Sequence, residues 1–576
     1  MNKKFTVFLP ALSAIAFLIS TQVIYSQNMG QAARININKI NLPFNNKGNI
    51  AAVQVPDNGR TNGFYEGHEF VFSADIILSG YTNDSLWANA TGYLERSFQP
   101  GTVGIAPDDT LASIYRVGVD DPPFGESWQD WRYAVDLGAD YYDGDNNGEF
   151  DPVDLNNNGI WDPNEDKPDI TGDECFWCVY NDGVPVNERR WRSEPQGIEI
   201  SQTIFAFTSP GVLENVVFVR YRIKNTGLLA DTIRNVYFGH FADVDIGEVY
   251  GCELTRIGCD TLRNATYGYL AVPSPQDWGD NPPCFLTDLL TGPLSYLPGR
   301  SFEDLNNNNI YDENIDMPLD TAFSFRGPLG AKIYPGAQNL SMTASIFIIN
   351  AAPGYTDPSN ITEARNYLQG LSLDGELVDP CIWPAGQVFG EIPCSEINPH
   401  YWCSGDPVTK NGWLSSIAAN VRKIQSTGPF TLAKNQEIEI LIGFIVGRGD
   451  SALGSVTVAK EISDETQTFS ENNFGYPFDL NGDHGPHYDP DFELFQNYPN
   501  PFNSTTTIRY MIPGDGVVTI ELFDVLGQKI KTILNKFQKA NRYEVKYNAS
   551  TLSSGIYIYR MRVNDFITSK KMVLLK

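Results

Sequence analysis

The chain has 576 residues, with 41 Lys and Arg against 70 Asp and Glu, a formal net charge of −29. That charge repels nucleic-acid phosphates and suits divalent cations. Hydrophobic residues make up 42%, which excludes wholesale disorder, and 50 Gly with 36 Pro point to a mainly β fold rich in turns and long loops.

Lys3 and Lys4 precede the apolar run FTVFLPALSAIAFLIS, and a cleavage point follows Ser26. Residues 1–26 therefore read as a secretory signal peptide, too short in its apolar part to span a bilayer comfortably. No later stretch reaches spanning length, so the mature chain is expected to lack a transmembrane segment. A β-rich region is expected over 27–197. His68 and Glu69 begin like a zincin motif, but Phe72 stands where its second His belongs.

The stretch DGDNNGEFDPVDLNNNGIWDPNED carries the clearest chemistry. Read as a twelve-residue loop, Asp143, Asp145, Asn147, Asp151 and Asp154 fill positions 1, 3, 5, 9 and 12, with Gly148 at position 6. A second loop follows with Asp154, Asn156, Asn158, Asp162 and Glu165, and Gly159 at position 6. Calcium takes six to eight oxygens, and the glycine allows the sharp turn that points alternate side chains inward. Asp154 would have to serve both loops. Pro152, Pro163 and Pro168 preclude full flanking helices, so the segment resembles dockerin or thrombospondin-type calcium repeats without them. A degenerate copy over 304–316 keeps Asp304, Asn306, Asn308 and Asp312; Asn309 replaces the glycine and Asp316 would have to substitute for Ile315.

All eight cysteines lie between residues 175 and 403. An even count in an exported chain suggests disulfides, and a local Cys175–Cys178 bridge is expected in preference to redox or zinc chemistry. From 198 to 478 the chain reads as a β-sandwich with insertions. GIEISQTIFAF, VVFVRYRIKNTG, DTIRNVYFGHFADVDIG and SMTASIFIIN are strand-like, and PFTLAKNQEIEILIGFIVG reads as a hairpin. ITEARNYLQGL and SVTVAKEISDETQTFSENN read as helices. His240, near Asp243 and Asp245, is a structural or surface histidine before it is a catalytic one. Arg448-Gly449-Asp450 spells an integrin-type tripeptide, but after a strand Gly and Asp are ordinary turn residues.

After a polar linker at 479–491 come three ordered blocks: FELFQNYPNPFN, the turn FDVLG, and the strand SGIYIYR with its alternating faces. In this order they resemble the type A C-terminal sorting domain of the type IX secretion system. The resemblance implies that residues 492–576 form a small Ig-like β-sandwich, read by the type IX translocon and removed by a sortase-like peptidase. The preceding region resembles secreted proteins of unassigned activity that carry the same tail.

The expectation is a mainly β protein: β-sandwich cargo with tandem structural calcium loops, secreted or held at the outer surface after periplasmic transit. A non-enzymatic role in adhesion, matrix or surface layers leads, with glycans or surface polymers as partners. The alternative is an extracellular hydrolase acting on polysaccharide or protein, for which Trp128, Trp131, Trp161 and Trp177 could stack on sugars, although buried core is the expected place of most of them.

Overall fold

The computed structural model describes residues 31–476 and 493–574 apart from short gaps; the expected signal peptide and the 479–491 linker lie outside the described residues. Two large antiparallel sheets dominate the chain. The first has ten strands, running Met342–Ile349, Val421–Ala433, Thr232–Asp243, Ser73–Thr82, Ile50–Ala51, Ile40–Asn45, Gly63–Tyr65 and His68–Val71, with two further strands paired alongside. The second has nine, running Thr255–Asp260, Ala265–Leu270, Cys284–Thr291, Glu437–Gly447, Val216–Asn225, Ile198–Ala206, Glu174–Asn181 and Gln99–Pro100, with Tyr115–Gly118 beside Glu174–Asn181. Strands from both sides of residue 197 share these sheets.

One core lies between the sheets, where Ile76, Leu78 and Phe238 meet Ile200, Val219, Phe285 and Phe444. A second core lies on the outer face of the nine-stranded sheet. There Phe205, Phe218, Leu286 and Ile445 are covered by Trp128 and Trp131 of helix α1 (Glu126–Asp136) and by Val456, Ala459 and Ile462 of helix α2 (Ala452–Glu471). That sheet is therefore buried on both faces, which is why its strands are nearly continuous apolar runs. A third helix, Ile361–Leu368, is capped by Asn360, whose side chain accepts from Thr362 N and Glu363 N. The two helices read from the sequence are present; α1, among the Trp residues, is an addition.

The expected hairpin of 429–447 is not one. Val421–Ala433 pairs only within the first sheet and Glu437–Gly447 only within the second, so residues 434–436 arch from one sheet to the other. Asn225, in the NTG motif, supports this arch and its own. Its Nδ2 donates to Ala230 O at 3.0 Å and Leu432 O at 3.2 Å, while its carbonyl accepts from Asn435 N at 2.8 Å. Carbonyls that leave a ladder where the chain changes sheets are satisfied by this side chain.

The Cys175–Cys178 bridge is also overturned. Both residues sit on strand Glu174–Asn181, where residues three apart face opposite sides. Cys175 enters the outer core and Cys178 the core between the sheets; both are free. The disulfide in the described residues joins Cys381 and Cys394.

The C-terminal unit packs a three-stranded sheet (Glu493–Leu494, Thr505–Ile512, Asn541–Asn548) on a four-stranded one (Lys529–Gln538, Gly516–Phe523, Gly555–Val563, Phe566–Leu574). Ile508, Tyr510, Val518, Ile520, Leu522, Tyr559, Met561 and Val563 form its own core. The alternation read from the sequence is the alternation observed.

Candidate metal centre

The acidic stretch forms two consecutive loops pinched at the base by a two-residue ladder, Tyr141 opposite Pro168 and Tyr142 opposite Lys167. The third loop is pinched in the same way, Phe302 opposite Pro318 and Glu303 opposite Met317. Each short ladder brings the two ends of a polar loop together without a flanking helix, as the prolines require.

Within the loops one backbone course recurs. Positions 4 and 6 are left-handed in all three: Asn146 and Gly148, Asn157 and Gly159, Asn307 and Asn309. Asn309 thus occupies the glycine position in a conformation Asn tolerates. The first carboxylate of each loop accepts from the amides at positions 5 and 6. Asp143 takes Asn147 N (3.1 Å) and Gly148 N (3.0 Å), Asp154 takes Asn158 N (3.2 Å) and Gly159 N (2.7 Å), and Asp304 takes Asn308 N (3.2 Å) and Asn309 N (2.7 Å). These amides hold the exposed Asp154 carboxyl below its ordinary pKa, Gly159 N first among them.

The closing carboxylate differs from the expected one in the first loop. In the second loop Glu165 accepts from Leu155 N at 2.8 Å and Asp162 N at 2.9 Å, the amides of positions 2 and 9. In the third, Asp316 accepts from Leu305 N at 2.9 Å and Asp312 N at 2.8 Å. In the first, the same two amides, Gly144 N at 2.9 Å and Asp151 N at 3.0 Å, go to Asp166. Asp166, not Asp154, closes the first loop, so Asp154 opens the second without being shared. Asp143, Asp145 and Asp166 place carboxylate oxygens within 4.8 Å of one another. Burial, then the charges of Asp145 and Asp143, push the Asp166 carboxyl above its ordinary pKa. A cluster of anionic oxygens under mutual repulsion fits a hard divalent cation such as calcium.

The remaining polar positions converge in the same way. Asn156 and Asn158 both donate to Asp162 (2.7 and 2.9 Å), and Asn306 and Asn308 both donate to Asp312 (2.6 and 2.7 Å). In the first loop Asn147 donates to Asp145 at 2.9 Å and lies 3.5 Å from Asp151.

Sequence reasoning weighed Trp161 only as a sugar-stacking ring and missed that an aromatic stands at position 8 of every loop. Phe150 packs on Tyr141 (5.2 Å between centroids), Trp161 on Tyr142 (5.5 Å), and Tyr311 on Tyr296 and Phe302 (5.4 Å each). Trp161 also donates to Glu165 O at 2.8 Å and lies under Lys167 Nζ at 3.8 Å. The repeated spacing was visible in the sequence; its purpose, seating each loop on its base, needed the ladders.

Below the first two loops the base enters the protein. Burial would raise the Asp140 carboxyl, yet the guanidiniums of Arg222 and Arg326, both bonded to it, hold it far below the carboxylate range. Arg222 also donates to Glu439 at 3.0 Å. At the other end Asp169 is fully buried, which pushes its carboxyl up despite nearby Arg220.

Other sequence candidates do not assemble. His240 is buried with no partner on either ring nitrogen, its ring edge-on to Phe444. Trp128, Trp131 and Trp177 are buried and Trp161 is partly covered, so they do not form a sugar platform. Arg448 of the RGD tripeptide is tied to Glu66 and Asn281, and Ser451 caps α2. A depression of about 370 Å³ lined by Gly59, Arg60, Thr61, Asn62, Phe64 and Glu69 presents one carboxylate, where glycoside hydrolysis ordinarily uses two.

Residues 496–575 match the family of secretion system C-terminal sorting domains. The C-terminal unit is a type IX secretion sorting domain, and it supports export to the cell surface or the medium. No curated protein matches the chain. Among solved structures, a polysaccharide lyase aligns at 8% identity over 66% of this chain and 34% of its own, with a TM-score of 0.20. The chain thus spans about a third of that structure, and a likeness so slight carries no argument. No helix among the described residues is long and apolar enough to cross a membrane.

Proposed function

We propose that the chain is an exported, calcium-stabilised β-sandwich protein of the cell surface or medium, with a structural or adhesive role rather than a catalytic one. The type IX translocon and a sortase-like peptidase are the partners of residues 492–576, and glycans or surface polymers those of the cargo. One observation carries the calcium reading: three loops share one backbone course and one closure, with a terminal carboxylate across the amides of positions 2 and 9. Asp143, Asp145, Asn147, Asp151 and Asp166 would hold a cation in the first loop. Asp154, Asn156, Asn158, Asp162 and Glu165 would hold one in the second, and Asp304, Asn306, Asn308, Asp312 and Asp316 one in the third.

A cation there would neutralise carboxylates that otherwise repel, and would stabilise the fold by mass action above its dissociation constant. The test is thermal unfolding of the secreted protein in calcium and in chelator, with elemental analysis of the purified chain. A calcium-dependent rise with bound metal supports the reading. Unchanged unfolding in chelator, with no metal found, removes it.

A further inference from the structure

The core between the sheets holds a polar group that the calcium loops do not explain. Lys423, on strand Val421–Ala433 of the first sheet, is 1% exposed, and no carboxylate among the described residues pairs with it. Its Nζ instead meets Thr266 O at 3.1 Å, Thr266 Oγ1 at 3.0 Å and Thr287 Oγ1, all on the facing sheet. Thr266 and Thr287 are fully buried, with their hydroxyl oxygens 3.0 Å apart. Two residues along from Lys423, on the same face, lies Gln425, also buried. Thr287 Oγ1 lies 3.0 Å from Gln425 Oε1, against the carboxamide, and Gln425 Nε2 donates to Asn264 O, which fixes the amide plane.

An ammonium ion here would cost several kcal/mol, offset only by neutral oxygens and the Phe285 ring, with no carboxylate to balance the charge. Burial pushes the Lys423 amine well below its ordinary pKa, which favours the neutral form with a free lone pair toward Thr287 Oγ1. His240, opposite Gln425 in the ladder, is likewise kept neutral by burial. An uncharged amine, a hydroxyl and a carboxamide thus meet in a dry site, where base and nucleophile are in contact and water cannot compete.

We propose that Thr287 and Gln425 become joined by an ester that ties one sheet to the other. Lys423 takes the proton of Thr287 Oγ1, which attacks Gln425 Cδ; one C–O bond forms. The tetrahedral adduct collapses by breaking Cδ–Nε2, and Lys423 returns the proton to the departing nitrogen. The products are the ester and one ammonia. No oxidant, reductant or co-reactant is consumed, and Lys423 ends as it began. An ester exposed to water would hydrolyse; this one is shielded by the core that forms it.

Peptide mapping of the folded, full-length chain tests the link. Trypsin should release residues 264–300 joined to residues 424–434, lighter by one ammonia than the two peptides summed and separated by hydroxylamine. The joined pair itself must be sequenced to place the bond between Thr287 and Gln425. Thr287→Val, close in shape and lacking the hydroxyl, should give both peptides separate with the amide intact, and Thr287→Ser should restore the pair. Separate peptides from folded wild-type protein overturn the proposal without any variant. A fragment spectrum that places the bond on Lys423 Nζ also overturns it.

Discussion

Asp166→Asn tests how the first loop closes. Asp166 receives amides from Gly144 and Asp151 within reach of Asp143 and Asp145. The amide side chain keeps one acceptor but turns an NH2 toward the other donor, losing about 1.5–3 kcal/mol of charge-assisted bonding. Without metal part of that returns, because the change also removes a buried charge that its neighbours repel; the net cost should be about 1 kcal/mol. With calcium at 100 times its dissociation constant, one lost site withdraws about 2.7 kcal/mol more. At about 2.1 cal/mol/K per residue over residues 31–476, that moves Tm by roughly 3 °C. The assay is the calcium-induced rise in Tm beside calorimetric stoichiometry. Asp166→Asn should lose one site and about 3 °C of the rise, and Asp154→Asn should lose the second site only. Full stoichiometry in Asp166→Asn, or two sites lost in Asp154→Asn, refutes the closure.

Burial, then Asp243 and Glu69, push Asp245 up to about 7. A carboxyl raised on folding stabilises fully only below its unfolded pKa, and that contribution is lost as pH rises through about 7. Asp245→Asn should therefore gain stability above pH 7, by at most about 4 kcal/mol, and little near pH 4, as read from urea midpoints at both. Replacing Cys381 and Cys394 by Ser opens a loop with a sequence separation of 13 and should cost about 3 kcal/mol in the same assay. Unreduced peptide maps should leave Cys175 and Cys178 unpaired; a bridge between them would contradict their opposite facing. Deleting residues 492–576 should strand the cargo in the periplasm on cell fractionation, and normal export of that truncation would remove the sorting role.

Local spacing made the loops legible, because ligand residues two apart are a property of one turn. The closing residue of the first loop was not, because Asp166 is placed by the ladder that sets Tyr142 against Lys167, twenty-five positions later in the chain. Strands such as Gly555–Val563, with one dry face, announced themselves by period two. In Glu437–Gly447, buried on both faces, the period vanishes and only β propensity remains. The three residues after Val421–Ala433 looked like a hairpin turn because turn chemistry reports a reversal but not which sheet receives the next strand. Cys175-Phe-Trp-Cys178 was misread for the same reason: proximity in sequence says nothing of facing until the strand is known. The Lys423 group was illegible, since its members come from three distant strands.

The order of strands also governs when this protein can fold. Glu437–Gly447 lies between Cys284–Thr291 and Val216–Asn225, and Val421–Ala433 between Met342–Ile349 and Thr232–Asp243. The last two long cargo strands are therefore the wedges that join each sheet's earlier parts. A chain emerging from its N-terminus holds incomplete sheets with open edges until residue 447 arrives, and so high a contact order makes completion slow. Completion of both sheets is thereby deferred to the end of the cargo, just ahead of the sorting domain, so no stretch of the cargo that stops short of residue 447 can close either sheet.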